Sequence, residues 1–253
     1  MFSAVCALCL RHLRAAVRRP VLLTFSLVQP LLWMAFFGFL FQRTATAEML
    51  KGLDYLTFVT PGIALLSVLF GASQSGVSLI RDIQTGFLGR MLATATPALL
   101  VLAGKLSADL LRLMVQAVLV LLLGVLLGAH LSIAFGHIPL ALLSLAAFAA
   151  LMSSLSCLLA ACTRTPELMG AYVHVVNMPV LFTSTALIPG RQMPGWLGTF
   201  AAYNPLTVVA DALRACCLGW QPPALTAVIG LVFAALFMLG AASFALTHAA
   251  RTE

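Results

Sequence analysis

Charge is scarce in this chain. Lys, Arg, Asp and Glu together make up 8% of the 253 residues, where a soluble globular domain carries about 25%, and mean hydropathy is +1.08. So few polar side chains cannot cover a fold of this size in water, which excludes a soluble globular protein. The alternating pattern of barrel strands is missing as well, because the apolar runs are roughly 20 residues long, the length of a helix that crosses a bilayer. Enzyme signatures are absent. There is no G-x-x-x-x-G-K-[ST] phosphate loop, no H-E-x-x-H and no G-x-S-x-G. The cysteines, Cys6, Cys9, Cys157, Cys162, Cys216 and Cys217, show no metal-ligand spacing and read mostly as small hydrophobes. The histidines, His12, His130, His137, His174 and His248, are scattered. Gly124 and Gly128 form a G-x-x-x-G, a close-packing signal of low specificity.

What is present is a series of long apolar runs. Six candidate spans cover residues 21–41, 56–79, 107–129, 138–162, 168–188 and 224–248. The fifth is the least regular, carrying His174, Asn177 and Pro179 within its length. Basic residues orient the set. With the N-terminus inside, Arg11, Arg14, Arg18, Arg19, Arg81, Arg90, Lys105, Arg112, Arg164 and Arg251 fall on the inner side, while Arg43, Lys51, Arg191 and Arg214 fall on the outer. Ten of the 14 basic residues inside predict that both termini are cytoplasmic. Attraction to anionic inner-leaflet lipid accounts for the net charge of +7 without nucleic acid.

Three segments between the runs are informative. Before the first span, Phe2, Val5, Cys9, Leu13 and Val17 share one helical face and Arg11, Arg14 and Arg18 the opposite one, the pattern of an amphipathic helix over 2–18 lying in the membrane interface. After the second span, Ile80, Ile83, Phe87, Leu88 and Met91 form a helical stripe within "LIRDIQTGFLGRML". Arg81, Asp82, Thr85 and Gly89 lie away from it. This predicts a short amphipathic helix over 80–92, either a socket for a cytosolic partner or a plain interfacial helix. Between the fifth and sixth runs, residues 189–223 contain Pro189, Pro194, Pro205, Pro222 and Pro223, so no continuous spanning helix forms there. Asn204 followed by Pro205 predicts a helix start, with Asp211 and Arg214 three apart and able to pair on its wet face. Trp33, Phe36, Phe37, Met178 and Phe182, with the polar His174 and Asn177, are candidates for lining a transport pathway. Ordinary packing or lipid contact is the stronger account of the apolar ones.

The order of these pieces resembles an ABC-2 type transporter permease, similar to the group that includes daunorubicin-resistance and nodulation lipo-oligosaccharide export permeases. The matching stretches are the basic N-terminus, "YLTFVTPGI" entering span two, "RDIQTGFLGRMLATATPALLVLAGK" after it, and "NMPVLFTSTALIPGRQMPGWLGTFAAYNPLTVVADALR" between spans five and six. The resemblance implies an all-α integral membrane fold forming a single transmembrane domain over residues 1–253, with six transmembrane helices, an N-terminal interface helix, a cytoplasmic coupling helix and re-entrant outer helices. It maps docking on an ATP-binding-cassette ATPase subunit onto Arg81, Asp82, Thr85, Gly86, Phe87 and Arg90. The outer gate maps onto Asn204, Pro205, Asp211 and Arg214.

The working unit so implied is two permeases, a homodimer or close to one, with two ATPases in a bacterial inner membrane. It exports an amphipathic, lipid-linked or drug-like cargo. This chain would be non-catalytic and hold no cofactor, ATP and Mg being bound by the partner subunit. The competing reading is an ATPase-independent secondary transporter or small channel. That reading wants paired intramembrane acids, and the spans offer only Asp109, near an end beside Arg112.

Overall fold

The computed structural model describes residues 20–41, 53–92 and 97–251. The interface helix expected over 2–18 lies outside the described residues. Among the described residues all regular structure is helical: α1 (Pro20–Phe41), α2 (Tyr55–Gln84), α3 (Phe87–Leu92), α4 (Ala98–Leu126), α5 (Ile138–Thr163), α6 (Pro166–Tyr172), α7 (Met178–Phe182), α8 (Gly195–Tyr203), α9 (Pro205–Leu218) and α10 (Leu225–Arg251). A π-helical turn, Val173–Asn177, joins α6 to α7.

Helix α2 is the axis around which the rest is arranged. It packs against α1, α4, α5 and α9, and 89% of its apolar stretch is buried, against 22% for that of α10. Small residues allow this. Gly62, Gly71, Gly76 and the serines between Ser67 and Ser78 let neighbouring backbones come close. At Gly62 a Cβ would overlap the carbonyl of Ala186. Peripheral helices instead present apolar residues outward at helical spacing: Leu111, Val115, Val118, Leu122 and Val125 on α4, and Ile229, Phe233, Leu236 and Phe244 on α10. A helix whose outside is as apolar as its inside is solvated by lipid rather than water.

Among the described residues, four segments are long and apolar enough to cross a membrane: Tyr55–Gln84, Ala98–Leu126, Phe135–Thr163 and Leu225–His248. The described apolar part of α1, Val28–Gly38, is shorter. The fifth expected span is not one continuous helix over 168–188. It breaks into α6, the π turn and α7, followed by irregular backbone from Thr183. Pro179 supplies the reason. It has no N–H to donate and its ring crowds the carbonyl four residues back, so the ladder widens ahead of it.

The helix expected over 80–92 is also interrupted. Residues 79–84 are the last turns of α2, and the chain then reverses at Thr85 and Gly86 before α3 begins. Gly86 has φ +66, a left-handed conformation that glycine adopts at little cost, and its N–H donates to the Ile83 carbonyl at 2.9 Å.

Candidate functional site

The two ends of α2 carry different chemistry. At the Arg81 end the predicted stripe, Phe87 excepted, is directed inward. Ile80 and Leu88 are buried, while Ile83 and Met91 are partly buried, against a cluster formed by Leu79, Leu102, Leu106, Cys157, Ala160 and Leu246. On the opposite side Arg81, Gln84, Thr85, Gly89 and Arg90 are exposed, with Asp82, Gly86 and Phe87 half-buried. The turn therefore rests on the bundle by its apolar side and offers two cations, an anion and a hydroxyl outward. The Thr85 hydroxyl donates to the Asp82 carbonyl at 3.3 Å, which ties down the turn.

At the Tyr55 end, Asn204 caps α9 as its sequence position predicts. Its Oδ1 accepts the Leu206 N–H at 2.8 Å, and Pro205 occupies the first helical position. The same side chain reaches further. Its Nδ2 donates to the Val180 carbonyl and to Thr183 Oγ1, both at 2.8 Å, which pins α9 to the end of the broken helix.

Arg214 is not on a wet face. Its side chain is 1% exposed and lies over the Phe58 ring, 4.1 Å from the centroid, while Nη2 donates to the carbonyls of Thr185 at 2.8 Å and Ala186 at 2.9 Å. Asp211 approaches only to 3.8 Å and is 43% exposed. The spacing of the two is as expected. What the sequence does not reveal is that packing turns the guanidinium inward, where uncharged carbonyls in the irregular segment after α7 accept its hydrogen bonds.

Between the two ends α2 is belted by polar side chains. Gln116 donates to the Ser67 carbonyl at 3.4 Å, Arg112 to the Gly71 carbonyl at 3.0 Å, Ser156 to the Ser73 carbonyl at 2.8 Å, and Asn177 to Ser73 Oγ at 2.7 Å. Asp109 is bound chiefly by Lys105, at 2.8 Å, with Arg112 Nε 4.0 Å away. Lys105 is almost fully buried. The sequence singles out Asp109, Arg112 and Asn177 but does not reveal this belt. Its one legible signal was the run of glycines and serines along α2, which marks close helix approach in a membrane.

The pathway candidates fall in two places. Trp33 stacks on Phe37 at 5.2 Å and Phe36 meets Phe37 edge-on at 5.5 Å, all on α1. His174, Asn177, Met178 and Phe182 lie on the π turn and α7; Asn177 is fully buried and Met178 half-buried, whereas His174 and Phe182 are exposed. Of the G-x-x-x-G pair, Gly124 packs against Thr60, whereas Gly128 lies past the end of α4.

Long apolar helices with lipid-type outer faces, a discontinuous apolar segment and a belt of buried polar groups define a multi-span α-helical membrane protein. Residues 3–218 match the family model described as ABC-2 type transporter, and the chain belongs to that family. It is similar to the putative transport permease ycf38 of Cyanophora paradoxa, with 33% identity over 204 residues, covering 78% of this chain and 68% of that protein. A second relative is the daunorubicin resistance ABC transporter permease protein DrrB1 of Streptomyces coeruleorubidus, 30% identical over 204 residues, 81% of this chain and 71% of that protein. A third is the probable doxorubicin resistance ABC transporter permease protein DrrC of Mycobacterium tuberculosis, 27% identical over 180 residues, 69% of this chain and 62% of that protein.

Proposed function

We propose that this chain is the permease subunit of an ATP-binding-cassette exporter, moving an amphipathic, lipid-linked or drug-like molecule out of the cytoplasm or inner leaflet of a bacterial inner membrane. It works as a homodimer, with ATP and Mg bound and hydrolysed by a separate ATPase subunit. Six spans carry the path: α1, α2, α4, α5, the discontinuous α6–α7 segment and α10, with both termini cytoplasmic. Helices α8 and α9 are the re-entrant outer helices.

The observation that carries this reading is the turn at the Arg81 end, in a chain of this family. Its apolar side is committed to the bundle while Arg81, Asp82, Thr85 and Arg90 face outward. A solvated loop needs no such rigid seat. A contact that must transmit a push does, because a force applied to Arg81 or Asp82 passes directly into the rod of α2. Closure of the ATPases on nucleotide then shifts α2 against α4, α5 and the broken segment, and the molecule alternates between two arrangements that differ in affinity for cargo. Asn204, Pro205, Asp211 and Arg214 close the outer end; Trp33, Phe36, Phe37, His174, Asn177, Met178 and Phe182 supply candidate cargo contacts.

The test is charge reversal. Arg81→Glu and Asp82→Lys are expected to weaken co-purification of the ATPase subunit or to uncouple hydrolysis from export, since mismatched charge at a docking contact slows association and costs binding energy. Arg191→Glu, on the exposed turn before α8, is the control and should leave both unchanged. Wild-type co-purification and wild-type cargo-stimulated hydrolysis in both turn variants would reject the docking assignment.

A further inference from the structure

The segment Thr183–Leu187 follows the broken helix without forming a helix of its own, and Ser184, Ala186 and Leu187 within it are buried. Irregular backbone at membrane depth persists only where protein satisfies its hydrogen bonds. Here α2 and α9 do so from two sides. Thr207 Oγ1 accepts the Thr185 N–H at 3.2 Å, Asn204 donates to Thr183 Oγ1 at 2.8 Å, and the Tyr55 hydroxyl donates to the Leu187 carbonyl at 3.2 Å. The ionised contribution comes from Arg214, whose Nη2 holds two successive carbonyls, those of Thr185 and Ala186. The segment thereby seats its Ala186 carbonyl in the gap that Gly62 leaves on α2.

Arg214 has a second partner within reach. The Asp211 carboxylate, one helical turn earlier, is 3.8 Å from Nη1 and 43% exposed, while the guanidinium is buried. At that distance the pair is incompletely formed. A rotation of the Arg214 side chain toward Asp211 gives up the two carbonyls, the long Nη1 contact to Thr185 Oγ1 at 3.5 Å and the Phe58 ring face, and gains a charge-assisted fork to the Asp211 carboxylate, which is the stronger kind of bond. Both positions leave the cation partnered, so the exchange does not strand a buried charge.

We propose that Arg214 is a two-position latch on the Tyr55 end: bound to the Thr185 and Ala186 carbonyls it holds the segment closed on Gly62, and swung onto Asp211 it releases the segment and opens that end. The proposal rests on the reading of this end as the outer gate and adds how the gate is held and what receives the latch when it opens. Arg214 and Asp211 are positioning residues. Their roles are opposite, Arg214 keeping the gate shut and Asp211 helping it open. A merely structural pair would fail in the same direction whichever member was removed.

The experiment places a single reporter at Ser184→Cys, an almost isosteric change at a buried site, in a chain whose own six cysteines are replaced. A membrane-impermeant maleimide is applied from each side of proteoliposomes holding the permease with its ATPase subunit. At rest the reporter should label slowly, and Arg214→Gln should label about tenfold faster or more without ATP, the loss expected for a charged hydrogen bond. Arg214→Lys, which keeps the charge and loses the fork, should fall between. Asp211→Asn should label no faster than wild type at rest and several-fold more slowly during ATP turnover.

Equal resting rates in Arg214→Gln and wild type, or faster resting labelling in Asp211→Asn, would overturn the latch. If Arg214→Gln does not yield a monodisperse protein, Arg214→Lys and Tyr55→Phe decide, and unchanged resting rates in both count against it. ATP having no effect in any variant, while Arg214 variants still label fast at rest, would reject the ABC permease reading and leave the latch standing.

Discussion

Replacing Asn204 by alanine is expected to cost more than an ordinary helix cap. The side chain is 7% exposed and makes three bonds at 2.8 Å, accepting from Leu206 N and donating to Val180 O and Thr183 Oγ1. The cap alone contributes about 1 kcal/mol. Each further bond contributes about 0.6 kcal/mol on the scale measured between membrane helices and about 1 kcal/mol on that of soluble interiors. The sum is about 2–3 kcal/mol, a fall in midpoint of about 5–10 °C for a chain of this length.

Thermal unfolding in detergent, followed by loss of the monodisperse peak, measures it. Asn204→Ser separates the parts, because serine keeps an oxygen for Leu206 N but cannot reach Val180 and Thr183, so it should recover about 1 kcal/mol of the alanine loss. An alanine variant within about 0.5 kcal/mol of wild type, the scatter of ordinary surface changes, would refute the reasoning. A serine variant no better than alanine would show that the cap contributes nothing. Co-purification of the ATPase should survive in both, since Asn204 lies at the other end of α2 from the docking turn, and a defect in closure should appear as leak or reduced transport.

Other expectations concern the rest of the molecule. Asp109→Leu should destabilise by about 3–5 kcal/mol by stranding the buried Lys105 charge, Lys105→Met should cost less because Asp109 keeps Arg112 at 4.0 Å, and the double variant should cost less than Asp109→Leu alone; a double variant costing the sum of the two would contradict this, and thermal unfolding measures all three. Gly86→Val, which forces a β-branched residue into φ +66, should cost about 1–2 kcal/mol and reduce ATPase co-purification, whereas Gly86→Asn should be tolerated, as a pull-down would show. Single cysteines at Gly89 and Thr199, on α3 and α8, should label from opposite sides of the membrane. Labelling from the same side would remove the proposed topology.

How much of this was legible in advance follows from the range of the interactions involved. Membrane character, helical class and most span positions were readable because burial in lipid demands long apolar runs and each helix bonds its own backbone within a few residues. The start of α9 was readable for the same local reason, since Asn204 and Pro205 act on the turn that directly follows them. The stripe of Ile80, Ile83, Phe87, Leu88 and Met91 is visible in the sequence, but the turn at Gly86 that divides its helix is not. A glycine in that position is equally compatible with helix and turn until α3 has a surface to fold back upon.

The remaining features required distant segments to meet. Nothing near Arg214 in sequence says that it turns inward to carbonyls 28 and 29 residues away, because its i−3 acid is a plausible local partner. Lys105, four residues before Asp109, lay within reach of local pairing, yet whether that pair faces lipid, water or protein depends on α2 and its neighbours. The polar belt is of the same kind, with Asn177 donating to Ser73 across 104 residues and Ser156 to the Ser73 carbonyl across 83. By itself the sequence determined that the chain is a bundle of membrane helices with a helix restarting at Asn204, since those outcomes depend on solvent and on neighbouring residues, whereas the interruption ahead of Pro179 within the expected fifth span came only with the structure. Tertiary structure decided which of its few polar groups are buried and what they hold, because a hydrogen-bond partner inside a membrane is supplied by whichever helix packs alongside.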